Sequence, residues 1–341
     1  MPLSFKRTFS VLSMTAIAEI KNRRAFLHTL LLGAISAGFP TAAFSQEAKL
    51  SKKTFTYKTV QQCAIKADVY QGVGSAPHPV VVWIHGGALI MGSRSGMDHA
   101  LLDKLLKAGY VVVSIDYRLA PETKLPAILE DVQDACKWIR DKGPELFAID
   151  AKRMAVMGGS AGGYLTLVAG YRVDPPPVAL VSFWGYGDIA GAWYSRPDSF
   201  YSRMPMVPKD EAYKAVGGPV LSEGGGKNNR GRFYLYCRQH GLWPKEVAGH
   251  DPDKAPRAFD AFCPLRNVTA HYPPTLLIHG TKDTDVPYEQ SELMDKELTR
   301  KGVEHELLTV KDAGHGLAGA KASVRADAQD RAVAFLKKYM R

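Results

Sequence analysis

Residues 153–163 read Arg-Met-Ala-Val-Met-Gly-Gly-Ser-Ala-Gly-Gly. A short apolar run ends in Gly158-Gly159-Ser160-Ala161-Gly162, and an apolar stretch of helical composition follows at once. This is G-x-S-x-G in the context it requires, with a strand before it and a helix after it. A nucleophile on so tight a strand-to-helix turn needs small neighbours, because the backbone there is strained and crowded. Gly158 and Gly162 supply that room. The turn lifts the Ser160 hydroxyl clear of the sheet, and the N-terminus of the next helix points its N–H groups at any anion formed there.

Outward from this turn the chain alternates. Buried-strand patterns occur at Pro79–His85, Tyr110–Tyr117, Arg153–Gly158, Val178–Phe183, Thr275–His279 and His305–Val310. Helical patterns occur at Asp98–Lys107, Pro126–Asp141, from Gly162, at Tyr288–Lys301 and at Ala320–Met340. Such alternation predicts an α/β fold, a mostly parallel central sheet flanked by helices on both faces. Two alternating runs, Thr54–Val60 and Ala64–Tyr70, predict antiparallel strands ahead of it. Residues 184–272 break the pattern. They are rich in Gly, Pro, Trp and Tyr, with helical patches near Lys209–Val216 and Asn229–Gly241 and a mobile-loop composition at residues 224–229. A structureless loop of that length is improbable inside a domain, so the stretch reads as an inserted cap or lid. The catalytic domain is then residues 46–183 with 273–341.

A serine hydroxyl needs a positioned base. In this architecture the acid and then the histidine follow the nucleophile along the chain. His315, in Asp312-Ala313-Gly314-His315-Gly316 just after the last predicted strand, is placed to swing over the sheet. His279 ends a buried strand and reads as structural, while His240, His250 and His271 belong to the insert. The loop His279-Gly280-Thr281-Lys282-Asp283-Thr284-Asp285-Val286-Pro287 offers two carboxylates. Asp283 is favoured as the acid that orients the imidazole. Asp285 reads as a cap for the turn or the next helix and stands as the alternative acid. His85-Gly86-Gly87-Ala88 follows a buried strand, and the N–H groups of Gly87 and Ala88, with Ala161 and a contribution from Gly86, form a candidate oxyanion hole. His85 reads as a brace for that loop. The aromatic residues Trp184, Tyr186, Trp193, Tyr194, Phe200 and Tyr201 read either as the wall of an acyl pocket or as the core of the insert.

Composition closes off other classes. The 341 residues carry 46% hydrophobic and 23% charged residues, in the globular range. Of the net charge of +10, residues 1–45 account for +4. No basic stripe interleaved with aromatics appears, which argues against nucleic-acid binding. Arg23-Arg24 ahead of Phe26-Leu27, an apolar run from Thr29 to Phe44, and Ala43-Phe44-Ser45 before Gln46 describe a twin-arginine-like signal peptide over residues 1–45. The run is short for a span of ~20 residues, so a periplasmic or secreted enzyme without a stable membrane span is expected. Of the four cysteines, Cys237 and Cys263 lie in the irregular region and are candidates to pair. No C-x-x-C occurs, and no metal site is expected.

Taken together, His85-Gly86-Gly87, Asp116-Tyr117-Arg118-Leu119-Ala120-Pro121-Glu122, Gly158–Gly163 and His279–Asp283 resemble α/β-hydrolases of the hormone-sensitive-lipase and acetyl-esterase (BD-FAE-like) type. The resemblance covers roughly residues 54–184 and 273–340. It implies hydrolysis of small-molecule carboxylic esters without a cofactor, with Ser160 as nucleophile, Asp283 as acid and His315 as base. The oxyanion glycines fall at Gly86 and Gly87 and the third donor at Ala88, where the family's third glycine is replaced by alanine. The H-G-T-x-D block also resembles prolyl-oligopeptidase-type peptidases, which makes a small serine peptidase or amidase the alternative to an exported esterase of short-chain or aromatic acyl groups.

Overall fold

The computed structural model describes residues 51–72, 76–224 and 229–341. The predicted signal segment and most of the loop at residues 224–229 lie outside these. In chain order the first half holds β1 (Ser51–Val60), β2 (Cys63–Gln71), β3 (His78–Ile84), α1 (His99–Lys107), β4 (Val111–Ile115), α2 (Leu125–Phe147), β5 (Ile149–Gly159), α3 (Ala161–Arg172) and β6 (Leu180–Phe183). Among its described residues the insert carries the α-helices α4 (Ala192–Ser195), α5 (Lys209–Tyr213), α6 (Arg230–His240), α7 (Trp243–Ala248) and α8 (Pro264–Asn267). Then come β7 (Thr275–Gly280), α9 (Glu289–Arg300), β8 (His305–Val310) and α10 (Ala322–Tyr339).

The strands form one sheet in the order β1-β2-β4-β3-β5-β6-β7-β8. β1 and β2 pair antiparallel, as do β2 and β4, and every later pair is parallel. β3 shows why the strand sequences run apolar without alternation. Val80, Val82 and Ile84 face a core shared with α2 and α3, and Val81 and Trp83 face a second core shared with α1 and α10. A parallel strand covered on both faces has no side left for polar residues.

Two sequence readings differ from the structure. The helical period read from the sequence ends at Asp141, but α2 runs on to Phe147, with Pro144 inside it. Gly143 lies against Ile149 and Phe147, where a Cβ would come within 2.6–2.9 Å of their side chains, so the last turn packs on the start of β5. Cys237 and Cys263 do not pair; both are buried free thiols. The insert is built onto the sheet's own core: Phe233, Trp243, Val247 and Phe259 are fully buried in the cluster that holds Val80 and Val82. Among the described residues no helix is long and apolar enough to cross a membrane.

Candidate active site

The turn between β5 and α3 holds Ser160 at φ 57°, ψ −121°, a conformation a non-glycine residue keeps only when its surroundings enforce it. They do. The Ser160 N–H donates to the Phe183 carbonyl at 2.9 Å and the Tyr164 N–H to the Ser160 carbonyl at 2.9 Å. A Cβ at Gly158 would fall 2.5 Å from the Gly162 carbonyl oxygen, and one at Gly162 would fall 2.0 Å from that of Ile84. Both glycines are therefore required by contact.

The Ser160 hydroxyl lies 3.1 Å from Nε2 of His315. The other ring nitrogen, Nδ1, lies 2.8 Å from Oδ2 of Asp283. His315 sits on the short turn after β8 and Asp283 on the loop after β7, so the three side chains meet above the C-terminal ends of neighbouring strands. The Asp283 side chain is fully buried and accepts four hydrogen bonds. The Asp285 and Val286 N–H groups donate to Oδ1 at 2.9 Å each, and His279 Nε2 approaches Oδ2 at 3.2 Å beside His315. Burial by itself would raise the Asp283 pKa; the bonds from His279 and His315 outweigh it and hold the carboxyl well below its usual range. At His315 burial opposes the charged ring, but the Asp283 hydrogen bond and the charges of Asp285 and Asp283 prevail and raise its pKa above 6.5.

His279 is the buried histidine the sequence set aside. Its Nε2 faces two acceptors, Asp283 Oδ2 and the Val286 carbonyl at 3.1 Å, and so carries the proton. Its Nδ1 meets the Ser291 hydroxyl at 2.7 Å. The residue is structural, and the part it braces is the Asp283 carboxylate that meets His315 Nδ1.

Asp285 caps nothing. α9 begins at Glu289 without a side-chain cap. The Asp285 carboxylate instead reaches the insert, accepting from Tyr201 Oη at 2.8 Å, from Arg238 Nη1 at 2.8 Å and from Tyr234 Oη. Its second oxygen lies 3.4 Å from His315 Nε2. No sequence spacing announces this, because the partners lie 47 to 84 residues away in a segment without periodicity.

The loop after β3 bends through three left-handed residues, Gly87 (φ 109°), Ala88 (φ 56°) and Leu89 (φ 61°). Three successive carbonyls are tied outward. Ala88 accepts from Trp243 Nε1 at 2.9 Å, Leu89 from the Ala120 N–H at 2.8 Å, and Ile90 from Arg230 Nε at 2.5 Å. Arg230 in turn pairs with Glu122 at 2.7 Å, both side chains being buried. The N–H groups of Gly87, Ala88 and Ala161 take no protein acceptor among the described residues, and a Cβ at Gly86 would lie 3.2 Å from Cβ of Ser160. His85 stacks on Tyr117 with centroids 4.3 Å apart, and its Nδ1 meets the Gly86 carbonyl at 2.7 Å. Burial pushes its pKa down to about 4, which keeps it neutral.

Of the aromatic residues singled out, Tyr186 and Tyr194 are fully buried core. Trp184 stands beside the site. A Cβ on Gly159 would be 3.3 Å from its indole, and its ring meets that of His315 edge-on at 6.2 Å. It walls a cavity of about 200 Å³ with Trp83, Leu101, Phe183, Leu317 and Ala328.

Sheet order, strained serine turn and the three loops above the strand ends define the α/β-hydrolase fold. Solved structures agree: the chain matches an α/β-hydrolase superfamily protein from Enterococcus faecalis with a TM-score of 0.66 at 20% identity, over 84% of this chain and 99% of that one. It matches an esterase of the archaeon Pyrobaculum calidifontis with a TM-score of 0.61 at 23% identity, over 85% of each. The chain has the α/β-hydrolase fold. Within it, residues 67–176 match the BD-FAE family model and residues 233–341 that of the prolyl oligopeptidase family. Among curated proteins it is 30% identical over 245 residues to Esterase LipC of Mycobacterium tuberculosis, covering 70% of this chain and 53% of that protein. It is 29% identical over 297 residues to the non-reducing polyketide synthase Preu6 of Preussia isomera, covering 77% of this chain. The chain spans 13% of that synthase and about half of the esterase.

Proposed function

We propose that the protein is an exported serine carboxylesterase acting on short-chain or single-ring aromatic acyl esters. The observation that carries this reading is the hydrogen-bonded line from Ser160 through His315 to Asp283, with unused N–H groups beside the serine. Ser160 Oγ attacks the ester carbonyl and its proton passes to His315 Nε2. The oxyanion takes the N–H groups of Gly87, Ala88 and Ala161, with Gly86 leaving room for close approach. The proton then goes to the leaving alcohol, and water, deprotonated by the same imidazole, releases the acid from Ser160.

The cavity beside Trp184 supports the acyl preference. A dry cavity of roughly 150 Å³ holds benzene, so about 200 Å³ suits one ring or a short chain. Export rests on the twin-arginine-like segment of residues 1–45. The decisive assay is hydrolysis of p-nitrophenyl esters from acetate to laurate by the processed chain, alongside Ser160→Ala and Ala328→Phe. Turnover highest for short chains, lost in Ser160→Ala and restricted to still shorter chains in Ala328→Phe, is the expected result. A profile indifferent to Ala328→Phe removes the cavity from the acyl site. The match of residues 233–341 to the prolyl oligopeptidase model favours a peptidase as second reading; cleavage of peptidyl anilides without ester turnover would reverse the order.

A further inference from the structure

We propose that Asp285 is a second carboxylate for the base, a positioning residue that holds protonated His315 from the Nε2 side while Asp283 holds it at Nδ1, with the insert fixing Asp285 in place. The proposal rests on His315 acting as the base for Ser160. His315 Nε2 has two oxygen neighbours, Ser160 Oγ at 3.1 Å and Asp285 Oδ2 at 3.4 Å. Oδ1 of Asp285 is fully engaged by Tyr201, Tyr234 and Arg238, all from the insert. Arg238 also donates to the Asp285 main-chain carbonyl at 2.8 Å and to Asp198 at 2.7 Å, and is 1% exposed. With one oxygen held by three donors and the backbone pinned by one of them, the carboxylate cannot rotate away from the imidazole.

The chemistry follows from the two protonation states. Neutral His315, with its proton on Nδ1, turns a lone pair on Nε2 toward a carboxylate oxygen, which is repulsive. When the Ser160 O–H bond breaks, the serine oxygen's electron pair forms the bond to the acyl carbon and the proton moves to Nε2. The same contact is then attractive. Asp285 takes no proton; it stabilises the charge until Nε2 passes the proton to the leaving oxygen. The groups around the ring bear on this unequally. Asp283 and Asp285 face it from the loop after β7, with His279 behind Asp283, and Ser160 faces it from the β5–α3 turn. Arg238 opposes from α6, with Tyr201 and Tyr234 between, and Arg325 and Asp98 line the cavity on the Gly316 side. Of the two cations, Arg238 is shared with Asp198, so the acidic side prevails.

The test is the pH dependence of kcat/KM for p-nitrophenyl acetate in the full chain and in Asp285→Asn, together with the pH dependence of Ser160 phosphonylation by a fluorophosphonate. Both need the same base, and the second involves no alcohol leaving group. The acid limb should move down by about one pH unit in both assays. An unmoved limb in a folded Asp285→Asn overturns the proposal. If that variant does not fold, Asp285→Asn with Arg238→Gln removes the buried Arg238 charge as well and leaves Asp198 held by the Phe200 and Tyr201 N–H groups, and its limb should still move down, by less; an unmoved limb there overturns it equally. A wild-type chain inert to both reagents overturns the esterase reading itself, which is a separate result.

Discussion

The indole N–H of Trp243 donates to the carbonyl of Ala88 at 2.9 Å, across 155 residues of chain. It ties the insert to the loop that carries the candidate oxyanion N–H groups of Gly87 and Ala88. Ala88 sits in the left-handed region, and an untied carbonyl there has freedom to turn its peptide plane. Trp243→Phe keeps most of the buried ring and loses the donor. The expected effect is a fall in kcat of roughly tenfold with KM changed less than twofold, since a misplaced oxyanion donor is felt in the transition state. Steady-state kinetics on one ester decide it; a rise in KM alone would place Trp243 in binding.

Asp283→Asn should lower kcat by roughly 10⁴-fold, because an amide nitrogen turned toward Nδ1 favours the wrong tautomer of His315. The fold should survive, as the site keeps its shape. Circular dichroism with single-turnover kinetics checks both halves, and a loss below tenfold would remove Asp283 from the role of orienting acid.

The pH profile has a sign that can be worked out. His315 acts as base only when neutral, and its pKa is raised above 6.5. The acid limb of kcat/KM should therefore reach half its plateau above pH 6.5, and activity should be largely gone by pH 5. A half-point below 6.5 contradicts the arrangement of the two carboxylates around the ring.

Ser160→Gly and Ser160→Ala should separate function from strain. Both should abolish turnover. Only glycine relaxes φ 57°, and relief of such strain is worth on the order of 1–3 kcal/mol, part of which is offset by the glycine's freedom in the unfolded chain. Urea unfolding should show the glycine variant more stable than the alanine variant by about 1 kcal/mol.

Gly162→Ala is expected to fail by contrast. Its methyl would lie 2.0 Å from the Ile84 carbonyl oxygen, which belongs to a central strand and cannot yield. A loss above about 3 kcal/mol, or no soluble protein, is expected; near-wild-type unfolding would mean the turn can open.

What could be read from the chain divides along physical lines. Strands covered on both faces, such as β3, β4 and β5, declare themselves by apolar runs that nothing else produces. The serine turn declares itself by glycines that have no room for a side chain. Ser160, His315 and Asp283 are legible from local loop patterns because each lies just past a recognisable strand. Asp285 sits in the same legible loop, yet its partners do not. Tyr201, Tyr234 and Arg238 come from a segment held by stacked rings and buried ion pairs, and such contacts leave no period in the sequence. Glu122 and Arg230, 108 residues apart, were hidden for the same reason.

Trp243, Arg230 and Arg238 all lie between Arg230 and Trp243, within fourteen consecutive residues of the insert. From there they reach the Ala88 carbonyl, the Ile90 carbonyl and Asp285 respectively. Inheritance of this segment is therefore constrained from two directions. A lineage drifting toward new substrates keeps its freedom at exposed positions of the insert, whereas exchange of α6 and the start of α7 between relatives would carry the ties to the candidate site with it. Chimaeras joined before residue 230 and after residue 243 should work as a block from one parent, and those crossing inside it should not.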